Sequence, residues 1–262
     1  MRPALPANPS APHASQRRAF AGAFSLIELL VVLGVIAILA ALLLPALAQS
    51  KAAGQSAKCL GNLRQMGIAA HIYVSDSADS YPIAYFNTQV DGVPWFYSWD
   101  LTTVGARAGR IVPGLLWQGQ GLEQVQQCPS FNGPANWLAD PYTGYNYNTS
   151  YLGHGQAESI PAPAKGADVR HPSRCALFGD GQYAQGADKF MRAPWPNPGD
   201  QNFSGRWAGT QGFRHQRRTD TAFCDGHAEA LAACFTTNTD GAMNVIPGTG
   251  FLSSDNSFYS AQ

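Results

Sequence analysis

Residues 24–48 read FSLIELLVVLGVIAILAALLLPALA, and this stretch decides the architecture. From Leu29 to Ala48 twenty successive residues carry no charge. At about 1.5 Å per residue, a helix of that length spans roughly 30 Å, one bilayer core. Arg17 and Arg18 precede it, and Lys51, Lys58 and Arg64 follow it. The basic residues are nearly balanced by count. The nearer cluster lies on the N-terminal side, which leans the topology toward a cytoplasmic N-terminus.

Two plain readings of this segment compete. A secretory signal peptide would use Ala46-Leu47-Ala48 as its small-x-small cleavage site. Its apolar core is normally about 7–15 residues, shorter than the run here. A simple single-pass anchor is the other reading. Neither gives a reason for Glu28, a carboxylate at the entrance to an apolar span, where charge is costly unless it snorkels to the interface.

The segment Ala23-Phe24-Ser25-Leu26-Ile27-Glu28-Leu29-Leu30-Val31-Val32 resembles the cleavage and methylation motif of type IV prepilins and type II secretion pseudopilins. The resemblance implies a cut between Ala23 and Phe24 by prepilin peptidase, followed by N-methylation of Phe24. Glu28 is then the fifth mature residue, and Pro45 falls twenty-second, where the family commonly carries Pro. One departure is that Ala23 stands where the family usually has Gly, and Gly22 precedes it. A cut after Gly22 stays open. Cleavage makes an amine four residues from Glu28. In a stack of parallel helices the amine of one subunit can meet the carboxylate of another, and pairing offsets the desolvation of both. Glu28 and Pro45 are the expected assembly residues.

Helical patterning continues beyond the apolar run. Leu60, Leu63, Gly67, Ala70 and Val74 recur at steps of three and four, with Cys59, Met66 and Tyr73 on a neighbouring strip. A helix from about Ser25 to Val74 is expected, roughly 75 Å long, with a kink at Pro45. Asp76, Asp79 and Pro82 end it. The segments are a leader over 1–23, a transmembrane and assembly helix over 24–48, an amphipathic extension over 49–75 and a β-rich head over 76–262. The fold class expected is α+β, a pilin-like lollipop with a long N-terminal transmembrane helix packed on an antiparallel sheet. Strands are expected near 81–86, 93–100, 122–127, 174–179, 219–224 and 227–232, with 181–212 as a long loop.

Composition narrows the function. The 262 residues are 13% charged with a formal net charge of zero, which argues against a nucleic-acid partner. Twenty-seven Gly and eighteen Pro, with frequent aromatics, suit a turn-rich β head. Cysteines 59, 128, 175, 224 and 234 show no C-x-x-C spacing, which argues against a zinc site built from paired cysteines. Outside the cytoplasm they allow one or two disulfides with at least one thiol left over, and the pairing is not deducible from sequence.

The head carries a second resemblance. His215, nine residues and then Asp225-Gly226 resemble the processing-associated domain named for that spacing, found on prepilin-like proteins of planctomycete and verrucomicrobial type. Also similar to that group are Asn62-Leu63-Arg64-Gln65-Met66-Gly67, Cys128-Pro129-Ser130, Tyr145-Asn146-Tyr147 and Val169–Ser173 through Asp180-Gly181. Asp225-Gly226 reads as a two-residue hairpin turn with positive φ at both positions, placing Cys224 opposite His227. At about 3.3 Å per residue His215 lies roughly 30 Å from Asp225 unless 216–220 turn back. His215 reads first as a structural histidine and only second as a ligand or catalyst.

No G-x-S-x-G, H-E-x-x-H, P-loop or dinucleotide fingerprint occurs, and the chain is read as not an enzyme. His154, His171, His215 and His227 with Asp180 and Asp225 gather into a site on paper only. No cofactor is expected. Calcium is the weak exception, with oxygen ligands in 197–200 and 238–241. Trp95, Phe96, Tyr97 and Trp99 read as half-buried core before they read as a glycan surface. The expected function is a structural pseudopilin-like subunit of a type II secretion or type IV pilus system. It would sit in the inner membrane with its head in the periplasm. Its partners would be prepilin peptidase, membrane lipid and other pilin-like chains. The alternatives are a membrane-anchored periplasmic binding module for glycan or protein and, behind it, an anchored hydrolase.

Overall fold

The computed structural model describes residues 25–262 apart from 106–109, 118–122, 136–139, 141, 161, 184–185, 201–208 and 239–244. The chain divides into two compact units, residues 1–48 and 49–262. Helix α1, Leu26–Asp76, belongs to both and contains Pro45. Each unit is described by itself.

In the first unit every described residue is exposed, and the apolar side chains range from 46% exposed at Val32 to 80% at Leu26. This part of α1 is long and apolar enough to cross a membrane. Past Lys51 the helix changes character. Cys59, Asn62, Leu63, Met66, Gly67, Ala70 and Val74 are buried, while Ile68 and Ile72 stay outside. Leu60 and Tyr73 pack at the edge of the same core. The expected stripe is present, and α1 runs two residues past Val74.

The described residues of the head form three sheets, so the fold is α+β. Strands β1 (Tyr85–Val90), β2 (Val93–Ser98), β3 (Leu101–Val104) and β4 (Arg110–Pro113) form an antiparallel meander. Asp91 and Gly92, with φ of 51° and 76°, make the two-residue turn between β1 and β2. That pair of positive φ values is what an Asp-Gly hairpin turn requires. The second sheet has the order β10-β9-β6-β5-β7. It contains β5 (Asn146–Asn148), β6 (Ala176–Gly179), β7 (Phe190–Met191), β9 (Thr219–Phe223) and β10 (Ala228–Leu231). A small third sheet pairs β8 (Gln211–Gly212) with β11 (Thr249–Gly250).

Four sequence expectations are corrected. The strand expected over 122–127 is one 3-10 turn, Glu123–Gln126. The strand expected over 93–100 breaks at Trp99, whose side chain turns inward and is fully buried. The second sheet is mixed rather than purely antiparallel, since β5 and β7 run parallel. The long loop over 181–212 contributes β7 and β8 and carries a buried Lys189 and Arg192.

The main core joins α1 to the second sheet. Trp99, Tyr147 and Phe178 tilt against one another with ring centroids 5.2–5.8 Å apart. Leu63, Met66 and Ala70 of α1 belong to the same cluster. A second cluster of Phe223, Phe251, Met191 and Tyr259 lies on the other side of β9. Buried cations are paired. Lys189 Nζ lies 2.6 Å from Asp100 and 3.2 Å from Asp140, and Arg192 meets Glu158 at 2.6 Å and also Asp200. Pairing is what makes burial of such groups tolerable.

Candidate functional site

The start of α1 forms a capping box. Ile27 N donates to Ser25 Oγ at 3.3 Å, and Ser25 N donates to Glu28 Oε2 at 2.9 Å. Two backbone donors that a helix start leaves without partners are thereby satisfied, and the carboxylate sits at the positive end of the helix dipole. Ser25-x-x-Glu28 is the sequence signature of this motif, and it was a legible reason for Glu28 that the sequence reading missed. Ala23 and Phe24, the expected processing residues, lie outside the described residues. Pro45 lies on the exposed part of α1.

The hairpin between β9 and β10 differs from expectation. Phe223 pairs with His227, their rings stacked at 4.5 Å, and Gly226 alone has a positive φ, 90°. Gly226 N donates to Phe223 O, so the loop has three residues and closes with a glycine bulge. The physical reason is tertiary. Cys224 N donates to Cys175 O at 2.9 Å and Asp225 N to Pro172 O, which draws residue 224 out of the hairpin ladder. Asp225 is exposed and holds His227 Nδ1 at 2.5 Å.

His215 goes elsewhere. Gln216 and Arg217 have φ of 53° and 65°, and His215 and Arg218 exchange both backbone hydrogen bonds at 3.0 Å. The chain thus turns back directly after His215. No contact joins His215 to Asp225 among the described residues.

What His215 meets is a buried cluster. Its Nε2 lies 3.3 Å from Asp180 Oδ2, 3.6 Å from Cys128 Sγ and 3.7 Å from Asp220 Oδ2. Cys128 Sγ lies 2.9 Å from Cys59 Sγ. One donor atom from each of Cys59, Cys128, Asp180 and His215 falls within 4.8 Å of all the others, and all four residues are buried. They come from α1, the segment after the 3-10 turn, the end of β6 and the turn before β9.

A shell of hydrogen bonds orients the cluster. Arg214 donates from Nε to Cys128 Sγ at 3.3 Å and from Nη2 to Asp180 Oδ1 at 2.9 Å. Tyr145 OH donates to Cys59 Sγ at 3.2 Å and receives Asn62 Nδ2 at 3.2 Å. Asp220 N donates to Asp180 Oδ2 at 2.7 Å. Gly144, at φ 108°, leaves room beside Cys128: a Cβ there would stand 2.6 Å from that of Cys128.

Burial dominates the protonation of these groups, and their mutual contacts then redistribute charge. Burial pushes the Cys128 thiol up, yet hydrogen bonds from Cys59, His215 and Arg214 bring it down to about 3. Burial pushes His215 down, yet Asp180 and Cys128 lift it to about 10. Asp180 is raised by burial against the pull of Arg214 and His215. Burial and the nearby Asp180 raise Asp220 to about 7. Cys59 is raised by its hydrogen bond to Cys128 and by burial. These contacts favour the thiolate at Cys128, the thiol at Cys59 and the cationic form of His215 beside the Arg214 guanidinium.

The other sequence candidates are dispersed. His154 lies beside Glu158 at 3.7 Å, and His171 is on the surface. The oxygen-rich loop over 197–200 commits Asp200 to Arg192 and to Ser150 Oγ, which argues against a calcium cage there. Of the segment 238–241, only Asn238 lies within the described residues. Trp99 is core, and its Nε1 donates to Lys189 O. Phe86, Tyr97 and Trp95 stack in a row, with centroids 4.7 and 5.5 Å apart, on a half-buried face of β1 and β2.

Comparison of the chain with protein-family models, with curated proteins and with solved structures finds no match.

Proposed function

We propose that the chain is a pilin-like structural subunit of a type II secretion or type IV pilus-like system, matured by prepilin peptidase between Ala23 and Phe24. The observation that carries this reading is the two-part character of α1. Residues 25–51 bury nothing, while the same helix from Cys59 onward contributes one face to a packed core. An apolar surface of that extent requires cover from lipid or from other helices. The capped start at Ser25 and Glu28 supports a helix that begins where the mature chain would begin.

Site-specific photo-crosslinkers at Leu33 and Ile36 of the full chain, expressed in cells that assemble such a system, test the proposal. Crosslinks to other pilin-like chains are the expected result. Crosslinks to lipid alone would contradict assembly.

A membrane-anchored binding module is the second reading, and the stacked row Phe86–Tyr97–Trp95 favours it. Loss of glycan retention by the full chain on Trp95→Ala, with unchanged crosslinking, would support that reading over the first.

A further inference from the structure

We propose that Cys59, Cys128, Asp180 and His215 form a four-coordinate site for zinc. Four donors of the three types that bind this ion, two sulfurs, one imidazole nitrogen and one carboxylate oxygen, converge from four separate segments. Bond lengths of about 2.0–2.3 Å in a tetrahedron place ligand atoms about 3.3–3.8 Å apart. The pairs His215 Nε2–Asp180 Oδ2 at 3.3 Å and His215 Nε2–Cys128 Sγ at 3.6 Å lie in that band. Cys59 and Cys128, at 2.9 Å, have to part by less than about 1 Å to reach it.

The surroundings fit the same reading. A dication offsets the two thiolates, and the Arg214 guanidinium, 2.9 Å from Asp180 Oδ1, offsets that carboxylate. Arg214 and Tyr145 already donate to the sulfurs, the kind of outer contact that fixes metal ligands in place. Two sulfurs select against calcium and magnesium, which take oxygen. Zinc takes the two cysteines as thiolates and His215 as the neutral imidazole, so binding releases their protons to solvent. All four positions are protein ligands, which makes the site structural rather than catalytic. It ties Cys59 of α1 to the head at Cys128, Asp180 and His215.

The test uses the full chain in detergent, isolated from cells with free thiols alkylated at lysis in a parallel sample. Elemental analysis should give one zinc per chain. Replacement by cobalt should give the thiolate-to-metal absorption and strong visible bands of a four-coordinate sulfur-ligated ion. Cys128→Ser and His215→Ala should abolish stoichiometric binding, while Cys234→Ser, at an exposed cysteine, should retain it. Tyr145→Phe should weaken zinc about tenfold without changing the stoichiometry. If the ligand variants do not fold, the wild-type cobalt spectrum still reports whether sulfur binds. A Cys59–Cys128 disulfide in the alkylated sample, or a cobalt spectrum without thiolate absorption, would overturn the proposal.

Discussion

Glu28 reaches back to the backbone of Ser25, its Oε2 accepting the amide hydrogen bond at 2.9 Å. The same carboxylate that the assembly reading assigns to a neighbouring subunit is thus a helix cap in the single chain. Glutamine also completes a capping box, so Glu28→Gln separates the two roles. The helix start should survive while the charge that pairs with a Phe24 amine is lost. Crosslinking through residues 24–48 is expected to fall at least tenfold. Wild-type yield in Glu28→Gln would reduce Glu28 to a cap.

The buried face of α1 gives a stability prediction. Leu63 is fully buried, and Leu63→Ala should cost about 2–5 kcal/mol. Ile72 lies on the outer face at 47% exposure, and Ile72→Ala should stay within about 0.5 kcal/mol. Chemical unfolding of the detergent-solubilised chain measures both. Equal effects would mean that α1 does not pack as described.

How far the sequence carries the reader differs by element. The extent and buried stripe of α1 were legible because helical periodicity is local. Strand β5 was not, since Asn is depleted in strands. Asn148 is kept there by donating from Nδ2 to Ala176 O and to Tyr259 O, both at 2.8 Å. The turn at Asp225-Gly226 departs from the local rule because the segment leading into β6, through Cys175 O and Pro172 O, selects its type. The dipeptide Asp91-Gly92 lacks such a partner among the described contacts and follows the local rule. The cluster was hidden for a similar reason. C-x-x-C spacing is blind to Cys59 and Cys128, which are 69 residues apart and meet only through folding. Its signal was present in pieces, since Cys128, Tyr145, Asp180 and His215 each sit in one of the loosely similar head motifs.

Asp188 should make the head sensitive to alkali. Burial raises its carboxyl to about 8, against the opposing pull of Phe190 N, Asn146 and Arg192. Its unfolded value is about 3.9. The stabilising contribution of the protonated form is complete below about pH 4 and is lost as pH rises through about 8. In Asp188→Asn the new amide can donate to Asn146 Oδ1, which has no hydrogen-bond partner among the described residues. That variant should gain on the order of 1 kcal/mol near pH 9, about 2–4 °C in Tm. Near pH 4 it should show no gain. A pH-independent difference would contradict the account.

The turn after His215 holds two non-glycine residues at positive φ, a conformation that costs roughly 1 kcal/mol or more at each. Both side chains are exposed. The pair Gln216→Asn and Arg217→Gly supplies the residues this turn prefers. It should stabilise the chain by about 1 kcal/mol, read as a higher Tm at constant pH. A loss of stability would mean that the turn is not of this type.

The most direct test of the pilin-like reading is mass spectrometry of the mature N-terminus, on protein from cells that carry a prepilin peptidase. A chain beginning at N-methylated Phe24 is the predicted result. A chain beginning at Gln49 would mean that residues 1–48 serve as a secretory signal, and it would contradict the account.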